Sequence, residues 1–236
     1  MIIHKLIAHH LAHQDDSEFY TLQARDALRW MEASGVRLTP ATKVLDLGAG
    51  HGVFGGELLK RGCQVSFADE SNLLLPELAA APFQQINLDR DDITRLGRYD
   101  LVICSNVLEH LAQPFPFIEA MGRILEPDGM MYLSWTNWLS PWGGHEFSPW
   151  HYLGARRGHL LYDKVTGRRR LHTPYVNLFP TYIGRTLRFI RKKTGLRVVR
   201  VAPRYYPEFA FLLWLPVLRE FLTWNCALLL LKEDIR

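Results

Sequence analysis

The chain has 236 residues, 48% hydrophobic and 22% charged, which suits one α/β domain with a full core, or two small ones, and excludes a disordered chain. Three cysteines, Cys63, Cys104 and Cys226, stand far apart in apolar runs without CxxC spacing, the pattern of reduced core thiols in a cytosolic protein. The net charge of +4 hides an asymmetry: residues 1–150 carry 11 Lys+Arg against 19 Asp+Glu (net −8), residues 151–200 carry 13 against Asp163 alone (net +12), and the remainder 4 against 4.

Met1 to Tyr20 begins apolar, but His4, Lys5, His9 and His10 interrupt it before a signal-peptide core can form, so no export signal is expected. Residues 1–40 read as a helical lid. His9 and His13 have the i, i+4 spacing of a helical metal clamp, yet no paired cysteine or carboxylate cluster accompanies them. They read as surface histidines, and no metal is expected.

Short apolar or β-branched runs then alternate with helix-like segments, the pattern of a parallel sheet with crossover helices. The expected strands are Lys43–Leu47, Gln64–Ala68, Phe83–Ile86, Tyr99–Cys104 and Met130–Trp135. Val53–Arg61 and Pro114–Leu125 read as helices, the second stopped by Pro127 and Gly129. Asn137–Phe179, rich in Trp, Gly, His, Pro and Arg, is too long for an ordinary connection and reads as a lid or binding segment. Pro180–Thr194 then reads as a helix closed by Gly195, and Leu196–Ala202 and Asn225–Leu231 as further strands, the last of them antiparallel.

The chemistry starts at Val44-Leu45-Asp46-Leu47-Gly48-Ala49-Gly50-His51-Gly52, an apolar strand running into alternate glycines and a helix. Glycines there let the backbone turn sharply and let a ligand lie against the main chain. A nicotinamide fingerprint requires Gly-x-Gly-x-x-Gly, and its sixth place here is Val53. The Asp46 carboxylate, two places ahead of Gly48, suits a cofactor with an amino group and a sulfonium rather than phosphates, which is S-adenosylmethionine. Asp69, ending the second strand, can accept both ribose hydroxyl hydrogens. Asn87-Leu88-Asp89, after the third strand, offers two polar candidates for the adenine.

This order continues through Phe-Ala-Asp-Glu-Ser, Tyr-Asp-Leu-Val-Ile-Cys-Ser-Asn-Val-Leu-Glu-His-Leu and Ile-Leu-Glu-Pro-Asp-Gly-Met, and over about residues 40–136 it closely resembles the class I S-adenosylmethionine-dependent methyltransferases. The resemblance implies a Rossmann-like α/β fold: a mostly parallel seven-stranded sheet, helices on both faces, and a long insertion after strand five. It implies segments of lid (1–40), cofactor-binding core (41–136), acceptor-side insertion (137–179) and C-terminal helix and strands (180–236). It places Asp46, Gly48, Ala49, Gly50, Asp69, Glu70 and Ser105 at the cofactor, and His110 at the acceptor border. The run Asn137–Glu146 with Ser148–Gly154 resembles a bacterial branch of that family whose substrates it does not name.

Methyl transfer from a sulfonium needs alignment above all, and a base only when the acceptor is a poor nucleophile such as a hydroxyl. His145, Glu146 and His151 are the base candidates, the alternative being that His145 and His151 order the insertion by hydrogen bonds. Trp138, Trp142, Trp150 and Tyr152 read as walls of an acceptor pocket. Arg168-Arg169-Arg170 and Arg191-Lys192-Lys193, interleaved with aromatics, suit RNA, anionic lipid or a phosphorylated acceptor, or form a plain solvated face. Phe209–Leu231 is apolar but interrupted by Pro216, Arg219, Glu220 and Asn225, so a buried helix followed by a core strand is expected, with an interfacial helix presenting Phe211, Trp214 and Leu218 to lipid as the alternative.

The expected function is therefore methyl transfer to a small-molecule or lipid-linked acceptor, preferably at oxygen, with peripheral contact to an anionic membrane. An RNA methyltransferase is the rival, disfavoured by the lack of an Asn-Pro-Pro-Tyr motif or an RNA-binding module; a catalytically silent cofactor-binding protein is the other alternative.

Overall fold

A computed structural model describes residues 16–168 and 170–233. His9 and His13 lie outside the described residues, as does much of the expected lid. The first described element is helix α1 (Asp16–Glu32), followed by β1 (Lys43–Leu47), α2 (Val53–Leu59), β2 (Gln64–Asp69), β3 (Phe83–Gln85), β4 (Tyr99–Ser105), α3 (Pro114–Arg123) and β5 (Leu125–Thr136). After β5 come α4 (Ala155–Thr166), α5 (Ile183–Lys193), β6 (Leu196–Pro203), α6 (Leu218–Leu222) and β7 (Asn225–Lys232).

The strands form one seven-stranded sheet in the order β3-β2-β1-β4-β5-β7-β6. β1 to β5 run parallel, and β7 is antiparallel to both β5 and β6. This is the sheet expected from the sequence. β5 starts earlier than expected: Leu125 pairs with Tyr99 and Met130 with Leu101, so residues 126–129 loop out where Asp128 takes a positive φ.

Both faces of the sheet are covered, as a largely parallel sheet requires. On one face Phe117, Ile118 and Met121 of α3 and Ile183, Leu187 and Ile190 of α5 pack on β4, β5 and β7. On the other, Ala24, Ala27, Leu28 and Met31 of α1 join Phe54 and Leu58 of α2. Helix α5 is amphipathic in the ordinary way, with Arg185, Arg188, Arg191, Lys192 and Lys193 on its exposed side.

Two regions depart from the sequence reading. The insertion 137–179 is not simply a loop, because it carries α4 and a small core of its own made by Trp138, Phe147, Ala155, Tyr162 and Leu178. The apolar stretch before β7 is not a buried helix. Pro207–Trp214 forms a 3₁₀ segment in which Leu213 is buried, and α6 buries nothing. Glu220, read in the sequence as an interruption, accepts hydrogen bonds from the Ile183 and Gly184 amides at 3.0 and 2.7 Å and so caps the start of α5.

Candidate active site

In this strand order β1 sends the chain to β2 on one side and has β4 on the other, and the crevice at such a reversal, outside the carboxyl ends of the strands, is where open α/β sheets bind ligands. The glycine turn lies there. Gly48 has φ +73, and a Cβ on it would stand 2.3 Å from Val107 Cγ2, so only glycine lets the turn pack beneath the loop after β4. Gly50 has φ +52, and a Cβ on it would meet nothing within 4 Å. Its main chain is bare and open to a ligand.

The expected cofactor residues gather along this one edge. Asp69 accepts hydrogen bonds from the amides of Gly50 (Oδ2, 2.7 Å) and Glu70 (Oδ1, 2.6 Å), which fixes its carboxylate against the glycine turn. Asn87 Nδ2 donates to Glu70 Oε1 at 2.8 Å, joining the ends of β2 and β3. Asp89 accepts from the Ala112 amide at 2.8 Å, while the half-buried Leu88 packs on the core. Ser105 closes the row at the end of β4, where its Oγ accepts from Ser134 at 3.2 Å.

Asp46 sits deeper than a ligand-facing carboxylate. It is 3% exposed, and its Oδ2 accepts from the Gly55 amide of α2 at 2.8 Å. Burial pushes its carboxyl up to about 7, the Gly55 amide pulls it down, and the Asp69 charge raises it further. The side chain ties the glycine turn to the first turn of α2.

The expected acceptor side contains groups to which the sequence reading gave no site role, Asn225 having been read only as an interruption of the apolar stretch. Arg204, buried just after β6, donates from Nη1 to Asn106 Oδ1 and Ser134 Oγ, both at 3.3 Å, and its Nε has no partner. Asn225 at the start of β7 donates to the same Asn106 oxygen at 2.7 Å. Glu109 is buried, with Oε1 accepting from the Thr136 amide at 2.8 Å and Oε2 unpaired. Only Glu109 had a signal in the sequence, standing beside His110 after a strand. Arg204 and Asn225 become neighbours only through the β6–β7 pairing.

The base candidates separate. His151 is 1% exposed, with Nε2 bonded to the Ser140 carbonyl at 3.0 Å and its ring among Trp138, Phe147 and Tyr152, so its geometry is that of a loop-ordering imidazole. Glu146 accepts from the amides of Leu171 (2.8 Å) and His172 (3.2 Å) and pairs with His172 Nδ1 at 2.9 Å. His145 is half-buried at φ +50, and burial together with the neighbouring His172 and His110 pushes its pKa down to about 4. His110 bonds through Nδ1 to the Asn177 carbonyl at 2.8 Å.

The four aromatic residues do not form one wall. Trp138 belongs to the insertion's own core and Trp150 packs against it, whereas the exposed Trp142 meets Trp224 and the exposed Tyr152 stacks on Phe221. Among the described residues all three cysteines are free and buried.

Fold and crevice together define a Rossmann-like α/β protein with an open crevice at the β1/β4 reversal, where the expected cofactor residues meet. A family profile described as the methyltransferase domain matches residues 18–201. The chain is 32% identical over 231 residues to an uncharacterized methyltransferase of Mycobacteroides abscessus, covering 90% of this chain and 86% of that one. Among solved structures it is similar to an S-adenosylmethionine-dependent methyltransferase from Mesorhizobium loti (TM-score 0.59, 17% identity, 88% of this chain and 98% of that one). It also resembles the magnesium protoporphyrin IX methyltransferase of Synechocystis PCC 6803 with bound SAH (TM-score 0.55, 17% identity, 92% and 86%). The chain belongs to the class I S-adenosylmethionine-dependent methyltransferases. Its open Gly50 main chain beside the Asp69 carboxylate fits S-adenosylmethionine, the cofactor of this enzyme class.

Proposed function

We propose that this methyltransferase acts on an oxygen of a lipid-linked acceptor that it meets at an anionic membrane surface. The observation that carries the reading is the apolar cap between β6 and β7. Phe209, Phe211, Leu215, Val217, Leu218, Phe221 and Leu222 are all exposed, and Trp214 is 81% exposed. Eight large apolar side chains exposed within one short segment of a folded chain suit an interaction site. The cap starts where β6 ends and returns to Asn225, which pairs with Thr136 at the end of β5, so it stands over the same sheet edge as the cofactor crevice.

The insertion supports the same reading. Tyr152 stacks on Phe221, linking insertion and cap, and the outer side of α4 mixes exposed Leu160, Leu161 and Val165 with exposed Arg156, Arg157 and Lys164. Apolar side chains interleaved with cations suit the interface of an anionic bilayer. Among the described residues no helix is long and apolar enough to cross a membrane. Arg204, buried with an unpaired Nε, offers a cation to a carboxylate or phosphate on the acceptor.

Two measurements test the reading. Labelled methyl transfer into cell-extract fractions should place the label in lipid. Trp214→Ser with Val217→Ser should weaken sedimentation with anionic vesicles while leaving S-adenosylmethionine affinity unchanged. Label in RNA, or vesicle binding equal to wild type in the double variant, overturns it.

A further inference from the structure

We propose that His110, His145 and His172 form a binding site for one divalent transition-metal ion, zinc by preference, at the acceptor border. Each offers one ring nitrogen, and these atoms all lie within 4.8 Å of one another. The ring centroids are 5.3 Å (His110–His145), 5.2 Å (His110–His172) and 4.6 Å (His145–His172) apart. The site is independent of the acceptor reading, since it rests on the donor set alone.

The three histidines come from three separate segments: the turn after β4, the 3₁₀ turn at His145–Phe147, and the chain after α4. Hydrogen bonds donated by main-chain amides hold these segments together, from Phe179 to the Glu109 carbonyl at 2.7 Å and from Leu171 to the Glu146 carboxylate Oε1 at 2.8 Å. A chance cluster of surface histidines needs no such fastening.

The outer partners are those that metal-bound imidazoles need. His172 Nδ1 donates to the Glu146 carboxylate and His110 Nδ1 to the Asn177 carbonyl, which fixes both tautomers and leaves each Nε2 with a lone pair to give. Glu146 is itself anchored by two main-chain amides, so the His172 ring is held in orientation. His145 Nδ1 is buried without a partner, and His145 keeps a positive φ that a non-glycine residue adopts at a cost. Three imidazole nitrogens within 4.8 Å of one another, two of them on rings whose other nitrogen is already bonded outward, are a donor set that one cation can bridge.

Three imidazole nitrogens without a thiolate suit zinc or its transition-metal neighbours rather than magnesium or calcium, which take oxygen ligands. Three ligands also leave a position open, as in zinc sites that hold a water or a substrate atom. Zinc–nitrogen bonds of about 2.0–2.1 Å put ligand nitrogens roughly 3.4 Å apart, so the side chains have to close by no more than about 1.5 Å, which rotation of partly exposed rings permits.

The test uses the tag-free full chain after dialysis against a chelator. Zinc titrated by calorimetry should bind with one equivalent per chain, and cobalt should give the visible absorption of a nitrogen-ligated site of low coordination number. His145→Ala and His172→Ala should each weaken zinc binding at least tenfold, and Glu146→Gln, which keeps all three ligands, by about 10- to 100-fold. His159→Gln, outside the cluster, should leave it unchanged, and retained S-adenosylmethionine affinity in every variant reports that the fold survives. Absence of zinc binding by the wild type, or binding unaltered in both alanine variants, overturns the proposal.

Discussion

The candidate cofactor crevice and the proposed acceptor edge occupy the same end of one sheet but are built in opposite ways. In the crevice, Asp46, Asp69, Asn87 and Asp89 are each satisfied by a main-chain amide or a neighbouring side chain, and all of them come from the span between β1 and the loop after β4. On the acceptor edge, His110, His145, His172, Arg204 and Asn225 come from distant segments, and Glu109 Oε2, His145 Nδ1 and Arg204 Nε lack partners. Buried polar atoms are rarely left unpaired, so under the proposed function these three are atoms that an acceptor or a bound ion would meet. On that proposal one half is finished by the chain itself and the other by what it binds.

The largest expected effect separates the two halves by stability. A Cβ at Gly143 would lie 1.8 Å from the Trp138 carbonyl oxygen and 2.4 Å from its carbon, and neither is a flexible side chain that can swing aside. Gly143→Ala should therefore displace the insertion and cost about 3 kcal/mol or more in urea unfolding, while the crevice still binds S-adenosylmethionine. Loss of cofactor binding in this variant would break the comparison by showing that the halves stand or fall together.

Next comes the pH dependence of the crevice. Because the Asp46 carboxyl sits at about 7 in the folded chain, against an ordinary value near 4, the folded state holds a proton that the unfolded state releases. Its stabilising contribution is complete below about pH 4 and is lost as pH rises through about 7. Asp46→Asn, which keeps an acceptor for the Gly55 amide, should flatten that decline and be more stable than the cofactor-free wild type at pH 8 by on the order of 2–4 kcal/mol. Parallel stability curves for the two proteins from pH 4.5 to 8 would mean that Asp46 is ionised throughout.

The same contrast explains what was legible in the sequence. The strands and the glycine turn were readable because runs such as Leu101–Cys104 and the need for bare backbone at Gly48 and Gly50 are local facts. Phe209–Leu222 misled because hydrophobicity states a preference for leaving water without saying what covers the surface. Arg219 and Glu220, which looked like breaks in a span, instead serve the start of α5. His110 and His145 were each visible as single residues. Their meeting with His172 was not, because it depends on hydrogen bonds such as Phe179 to Glu109 that join segments far apart in the chain.

A smaller effect sharpens the division inside the insertion. His151→Ala should lose about 1–3 kcal/mol through the empty volume and the freed Ser140 carbonyl, whereas His151→Gln, which can still donate to that carbonyl, should recover part of it. Turnover per folded molecule should be unchanged in both, and a large fall in the glutamine variant alone would return His151 to the list of bases.

The smallest effect on stability is expected at Gly50, and it carries the most specific information about the crevice. Alanine there must adopt φ +52, a conformation costing a non-glycine residue about 1 kcal/mol, but its methyl group meets no atom of the free protein within 4 Å. Gly50→Ala should thus unfold within a few degrees of wild type. The methyl would instead occupy the open space above the main chain beside Asp69, so S-adenosylmethionine affinity measured by calorimetry should fall at least tenfold. Gly143→Ala and Gly50→Ala then form a crossed pair, one losing stability and keeping the cofactor, the other keeping stability and losing it. Undiminished affinity in Gly50→Ala would place the cofactor away from the glycine turn, and with it the division between a finished and an unfinished half would disappear.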